Sequence, residues 1–339
     1  MSVSPSASSG PSVCFVTSIE SGVLEAMTVR MVASLRRFGG SLSDSTILAV
    51  KPRNGPPISG ETRRRLDTLG VDYHPLRSHP RFAWFHYLNK PLTMLAAEDR
   101  SDADVLVWID ADVLTAGEPS AFRLADDVDI SAGPTDVGVV GTIGPSSRYE
   151  PYWRNLCHAL GLEIDELPWV DPYVGDKPIR FYVNAGIFAY RRSTHFAADW
   201  LQNCITALDA RVGFPDCGET RVEQAALGLT ILKRRLRWAP LPHSHNLAIA
   251  SYLMDEFDPQ SFGEARLLHY HDAMEPHFWP AFLALLERHH PSCHEWLSDL
   301  GPVRNPARRR WRATAEAFRV LRGIPRRRYR ARMVHPDPA

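Results

Sequence analysis

Val105-Leu106-Val107-Trp108-Ile109-Asp110-Ala111-Asp112 (VLVWIDAD) is the stretch on which the fold of this chain turns. Five consecutive apolar residues without alternation read as a central strand buried on both faces, the pattern of parallel sheets covered by helices on each side. Its carboxyl end is Asp110-Ala111-Asp112. In open α/β sheets the ligand crevice lies outside the carboxyl ends of the strands, so these acids stand where chemistry is usually placed. Two residues apart on extended chain, the side chains share a face and converge on one hard cation. Mg²⁺ and Mn²⁺ favour carboxylates together with phosphate oxygens and water. The structural alternative for a bare acid pair is a strand-end cap or turn.

Working outward, Val13 to Thr17 reads as a short buried strand. Leu24, Met27, Met31, Leu35 and Phe38 then recur at three- and four-residue steps, predicting a helix that Gly39-Gly40 stops. Thr46 to Val50 is a second strand, 61–69 a charged helix and Val71 to Tyr73 a third strand. Asn89-Lys90-Pro91 opens another helix, with Pro in the first turn where its missing N–H costs little. Strands alternating with helices predict a parallel α/β sheet. From Gly133 to Pro178 the chain is rich in Gly, Pro and aromatics, including Tyr149, Tyr152, Trp153, Trp169 and Tyr173, with a helix around 150–160. It reads as loops over a site, facing a variable substrate. Phe181 to Tyr190 returns to strand character around Gly186, helices follow at 194–209, 219–230 and 276–289, and Leu267 to His271 is a late strand.

Other residues carry possible chemistry. His269 and His271, like His243 and His245, are spaced two apart. Two such pairs admit a zinc site, but no Cys or HExxH motif accompanies them, and one His joining the two Asp around Mn²⁺ suits the pattern better. The plain alternative is polar packing. Glu223-Gln224 opens the helix VEQAALGL, where an acid in the first turn also favours the helix dipole. Asn184 stands two residues before Gly186, a pairing in which a strand amide is offered to a sugar hydroxyl.

The composition sets limits. Among 339 residues, 39 Lys+Arg balance 39 Asp+Glu and 44% are apolar, which excludes a disordered or collagen-like chain. No apolar run approaches the roughly 18 residues a membrane span requires. Five cysteines, Cys14, Cys157, Cys204, Cys217 and Cys293, form no CxxC pair and fit a reducing cytoplasm. Residues 1–11 read as a disordered leader without the features of a secretory signal. The neutral total is uneven, because 301–339 holds twelve Arg against Glu316 and Asp337, a segment charge of +10. Trp311, Ala315, Phe318 and Leu321 are spaced as one helix face there. The segment is either an amphipathic helix on the anionic inner face of a membrane or a helix docked on the body. Nucleic-acid binding is not expected, since the arginines form no recognised module.

Taken in order, VLVWIDADV, YVNAGIFAY, VEQAAL, LPHSHN and LLHYHDAMEPHFW resemble the signatures of GT-A nucleotide-sugar glycosyltransferases, closest to family eight, which includes glycogenin and bacterial galactosyltransferases. The resemblance runs from about residue 13 to 285. It implies an α/β GT-A fold with a single Rossmann-like, mostly parallel sheet over 12–300, followed by the basic helix and tail of 301–339. It further implies a hexosyltransferase using Mn²⁺ or Mg²⁺ held by Asp110, Asp112 and His269. Asn184 and Glu223 match donor-sugar contacts, and Gln224 matches a side chain on the sugar face opposite the leaving group. Thr17 and Ser18 would lie near the base and ribose, with Gly186 at the donor site. The family's late lysine on the diphosphate is absent here, and Lys90, His271 and His277 are its candidate substitutes.

The implied reaction is transfer from a nucleotide-sugar donor, most simply UDP-linked, to a glycan, lipid-linked or small-molecule acceptor with retention. Inversion would need a base, for which Asp176 and Glu223 are available. Two other classes share features: a haloacid-dehalogenase-like phosphatase using the first Asp as nucleophile, and a catalytically silent GT-A-fold binding protein. About 100 residues of α/β structure before the acid pair tell against the phosphatase.

Overall fold

The computed structural model describes residues 10–135, 140–213, 218–249 and 258–334. Most of the expected leader, Cys217 and the end of the basic tail lie outside the described residues. The strands are β1 (Val13–Ser18), β2 (Thr46–Lys51), β3 (Val71–Pro75), β4 (Val105–Ile109), β5 (Val113–Thr115), β6 (Ile130–Pro134), β7 (Trp169–Val170), β8 (Ile179–Arg180), β9 (Val183–Arg191), β10 (Trp238–Ala239), β11 (Leu247–Ala248) and β12 (Leu267–His269).

The central sheet runs β3-β2-β1-β4-β9-β6-β10. β1 to β4 are mutually parallel, whereas β9 pairs antiparallel with both β4 and β6. The sheet is therefore the mostly parallel α/β sheet that the resemblance implied, with one long reversed strand inserted beside β4. Alternate residues of each strand feed two separate cores. Cys14, Val16, Leu106, Trp108 and Phe188 face one, and Phe15, Val105, Val107, Ile109 and Ile187 the other. Burial on both faces is why VLVWI shows no alternation.

The connecting helices follow the sequence closely: Val23–Phe38, Gly60–Thr68 and Asn89–Arg100 link the first four strands. Ser59 caps the second, its hydroxyl accepting from the Thr62 N–H at 3.0 Å. Glu25 is buried and accepts from the N–H of Gly22 at 3.0 Å and of Ser59 at 2.6 Å, tying the starts of two helices together. Such charge-assisted bonds compensate the desolvation of the carboxylate.

Two expectations are corrected, and one pairing is new. The Gly133–Pro178 segment is not simply a cover over the site, because its helix Glu150–Leu160 buries Tyr152, Trp153, Leu156 and Leu160 in the first core. Trp153 packs edge-on to Tyr182 at 5.0 Å and donates its indole N–H to the Val140 carbonyl. Helical spacing thus places Tyr152 and Trp153 inside rather than facing a substrate. Next, the late strand ends at His269 rather than His271, which turns away with φ at +50°. Finally, β12 pairs antiparallel with β5 in a second small sheet, β11-β12-β5, which no local pattern announced.

The basic C-terminal helix runs from Arg309 to Arg330 and docks on the body. Trp311, Ala315 and Phe318 lie on its half-buried face as expected, but Leu321 is 61% exposed. The docked row continues instead through Arg322, Arg326 and Tyr329. A four-residue step after Phe318 keeps that row on one side, whereas the three-residue step to Leu321 swings it out. Glu219 anchors the helix: fully buried, it accepts from Arg326 Nε at 2.6 Å and Arg330 Nε at 2.8 Å. The Tyr329 hydroxyl donates to the Leu208 carbonyl at 2.9 Å. Among the described residues no helix is long and apolar enough to cross a membrane.

Candidate active site

Asp110, Ala111 and Asp112 form the turn between β4 and β5, and backbone bonds fix its shape. Asp110 N–H donates to the Gly186 carbonyl at 2.9 Å, and the Asp112 carbonyl accepts from Tyr270 N–H at 2.9 Å. The acid pair therefore projects from a turn rather than from a continuous strand. Because β12 lies antiparallel to β5 with His269 opposite Val113, the imidazole arrives beside the pair. Ligand atoms of Asp110, Asp112 and His269 all lie within 4.8 Å of one another.

These residues suit a divalent cation. Two carboxylates and one imidazole are an oxygen-rich donor set appropriate to Mn²⁺ or Mg²⁺. His269 Nδ1 lies 3.2 Å from Asn246 Oδ1, an acceptor only, so Nδ1 carries a hydrogen and Nε2 faces the site, where it points to Asp112 when protonated and offers its lone pair to a cation when not. Nε2 is 3.4 Å from Asp112 Oδ2. Gly186 makes room for this ring: a Cβ there would stand 2.4 Å from His269 Cε1. The glycine is thus required by the approach of an imidazole.

Burial opposes ionisation of Asp112, but His269 beside it outweighs burial and holds the carboxyl at about 2. Burial likewise opposes charge on His269, and Asp112 overcomes it to raise the imidazole. Lys90, in the first turn of the helix after β3, donates from Nζ to Asp110 Oδ2 and to the Ala185 carbonyl, both at 2.9 Å. It also lies 3.8 Å from Glu223 Oε1. Burial works against its charge, yet Asp110 and Glu223 raise it. Asp110 Oδ1 accepts from the Trp108 indole N–H at 2.9 Å. Burial raises the Asp110 carboxyl, with Lys90 opposing.

Glu223 is 2% exposed, and burial pushes its carboxyl up to about 7 against the pull of Lys90. Among the described residues its Oε1 has no hydrogen-bond partner, the Lys90 ammonium standing 3.8 Å away. An unsatisfied buried carboxylate oxygen is costly, and a bound hydroxyl would relieve it. Gln224, beside it, donates from Nε2 to the Tyr182 hydroxyl at 2.6 Å. Asn184 Oδ1 accepts from Gly186 N–H at 2.7 Å, which leaves its amide nitrogen as the donor.

The remaining expected residues divide. Ser18 lines a cavity of about 230 Å³ with Glu20, Arg53, Lys90, Asp110 and Asp112, whereas Thr17 is buried at the end of β1 and does not line it. His271 stacks on His269 with ring centroids 4.2 Å apart. His277 stands exposed and edge-on to Phe278, and it does not line that cavity. The two His pairs do not join: His243 stacks on Tyr173, while His245 packs against Phe122 and accepts from Ala121 N–H at 3.3 Å. Asp176 is exposed. Asn246, Trp108, Glu20 and Arg53 were not read from the sequence as site residues. Asn246 lay within the LPHSHN motif, and Arg53 follows the carboxyl end of β2, where a crevice residue is expected.

A mostly parallel sheet whose carboxyl edge carries this acid pair is the arrangement expected of a glycosyltransferase. The chain belongs to the Rhodobacterales glycosyltransferase domain family, whose model matches residues 14–234. The match includes Asp110, Asp112, Asn184, Glu223 and Gln224 and ends before Asn246 and His269. No curated protein matches the sequence. Similar solved structures include the apo WbbM bifunctional glycosyltransferase, at 11% identity over 84% of this chain and 50% of that one, with a TM-score of 0.46. This chain thus spans about half of the WbbM chain. They also include the galactosyltransferase LgtC in complex with donor and acceptor sugar analogues, at 16% identity, 89% and 99% coverage and a TM-score of 0.46. An active-site mutant of LgtC matches at 15% identity, 76% and 87% coverage and a TM-score of 0.44.

Proposed function

We propose that this protein is a divalent-metal-dependent hexosyltransferase that moves a sugar from a nucleotide-diphosphate donor, UDP-linked, to a glycan, lipid-linked or small-molecule acceptor with retention. The observation that carries the reading is the convergence of Asp110, Asp112 and His269 beside Lys90 at the carboxyl edge of the sheet. In this reading these three residues hold Mn²⁺ or Mg²⁺, which when bound supplies positive charge to the diphosphate leaving group.

The chain's own residues then divide the work. Lys90 keeps Asp110 ionised, and its ammonium takes the place of the diphosphate lysine that the late motif lacks. Ser18 lines the donor cleft. Glu223 accepts a donor-sugar hydroxyl at Oε1, which lacks a hydrogen bond, while the Asn184 amide donates to another. Gln224, held by Tyr182, backs the sugar face away from the diphosphate. Retention needs no separate base, since the departing phosphate oxygen accepts the acceptor's proton on the same face.

A second reading is inversion with Glu223 as general base, favoured by a carboxyl raised to about 7, near the value at which such a base works best. The test is a panel of nucleotide sugars with Mn²⁺, scored by donor hydrolysis and thermal shift, followed by NMR of the product's anomeric configuration. An inverted product removes the retaining mechanism; no response to any donor removes the function. The same proposal places the enzyme in the cytoplasm, with Cys14, Cys157, Cys204 and Cys293 as buried free thiols. On the outer face of the C-terminal helix, Val320, Leu321 and Ile324 stand exposed among arginines, offered to the anionic inner face of a membrane.

A further inference from the structure

The docked face of the C-terminal helix closes a second cavity, of about 530 Å³, against the carboxyl end of β2. Glu20, Arg53 and His86 line both this cavity and the cleft at the acid pair, so the two spaces are neighbours. Among the described residues the larger one is walled by six cationic side chains against the single carboxylate of Glu20.

Three of these cations are accounted for. Arg53 pairs with Glu20 at 2.6 Å, Arg326 pairs with Glu219 at 2.6 Å, and Arg319 pairs with Glu316. Among the described residues no carboxylate lies within ion-pair distance of Lys51, Arg322 or Arg327. Lys51 is the most telling, since it is only 8% exposed and its ammonium donates to the Arg53 carbonyl. Arg322, half-buried on the helix, donates to the Asn54 carbonyl. Burial lowers the Lys51 pKa and, against Glu20, the neighbouring Arg322 and Arg53 lower it further. Like charges gathered in a concave, partly desolvated space repel, and an anion would relieve them.

We propose that this cavity binds a phosphate group carried by the acceptor, which makes the C-terminal helix a wall of the acceptor site. The acceptor assignment rests on the donor reading above. A lysine ammonium from the sheet edge and guanidinium forks from the helix approach one space from different directions, which suits a tetrahedral dianion. The donor's own diphosphate is an unsuitable occupant. Its partners lie at the acid pair, and the Glu20 carboxylate, held by Arg53 and by Asn89 Nδ2 at 3.0 Å, stands on the wall between.

The test titrates inorganic phosphate into the full chain at low ionic strength by calorimetry. Lys51→Met and Arg322→Gln should each weaken phosphate binding at least about tenfold. Arg328→Gln, on the exposed face of the same helix, should leave it unchanged. Phosphate should bind the UDP–Mn²⁺ complex as it binds the free protein, and UDP–Mn²⁺ affinity should stay within about twofold in both variants. Equal phosphate affinity in wild type and variants overturns the site. Competition between phosphate and UDP–Mn²⁺ overturns the acceptor assignment and gives the cavity to the donor. A wild type that binds no UDP–Mn²⁺ sinks the donor reading, and with it the acceptor label, while the phosphate titration still decides the cavity.

Discussion

The ammonium of Lys90 lies 2.9 Å from Asp110 Oδ2, joining the first turn of a helix to the acid pair at the end of β4. The same ammonium is 3.8 Å from Glu223, so one cation faces two carboxyls, half-buried Asp110 and buried Glu223, and opposes the rise that burial causes in each. Lys90→Met should lower kcat/KM for donor hydrolysis by at least about a hundredfold. Its acid limb should also move to higher pH, because Glu223, already raised to about 7, loses the partner that pulls it down. A pH–rate profile whose acid limb does not move would remove Lys90 from this role.

Asp112 and His269 carry the cation in the proposed mechanism. Asp112→Ala should abolish turnover and Mn²⁺ binding measured by calorimetry, with the melting transition retained. Full activity of the wild type in excess chelator would end the metal assignment.

The orientation of His269 depends on two residues that are not themselves ligands. Asn246→Leu removes the acceptor for Nδ1–H and should weaken Mn²⁺ affinity by about 10- to 100-fold. Gly186→Ala drives a methyl group to 2.4 Å from the ring and should displace it, also at a loss of metal affinity. Unchanged Mn²⁺ affinity in both variants would show that His269 is not a ligand.

His245 ties folding to pH. It is buried, and burial together with nearby Arg266 lowers its pKa to about 4. The folded state therefore takes up the proton later than the unfolded chain does. This stabilisation is complete above pH 6.5 and is lost as pH falls from 6.5 towards 4, at about 1.4 kcal/mol per pH unit. Urea unfolding across that range should show a shallower pH dependence in His245→Asn than in wild type. Parallel curves would refute the assignment.

Glu219 holds the C-terminal helix. Glu219→Leu leaves Arg326 and Arg330 without their buried partner and should destabilise docking by about 1–3 kcal/mol, reduced from a fully buried pair because both arginines are partly exposed. Limited proteolysis should then cut within 309–330 first. Resistance equal to wild type would show that Tyr329 and its apolar neighbours suffice.

Much of this is legible in the sequence. An unbroken apolar run ending in Asp110 and Asp112 determined a doubly covered strand with acids at its carboxyl edge, because burial on both faces leaves no room for alternation. Pro91 located Lys90 near a helix start, and helical periodicity put Glu223-Gln224 in the first turn of another. Tertiary structure alone decided the rest. β5 and β12 are three residues each and lie about 150 apart in the chain, so no local period marks their pairing, yet that pairing delivers His269. The partners of Lys90, the ring against Gly186 and the Asn246 that sets a tautomer are likewise contacts across the chain. So is the register of the basic helix, where the packing surface, not the apolar spacing, chose Arg322 over Leu321 for the docked face.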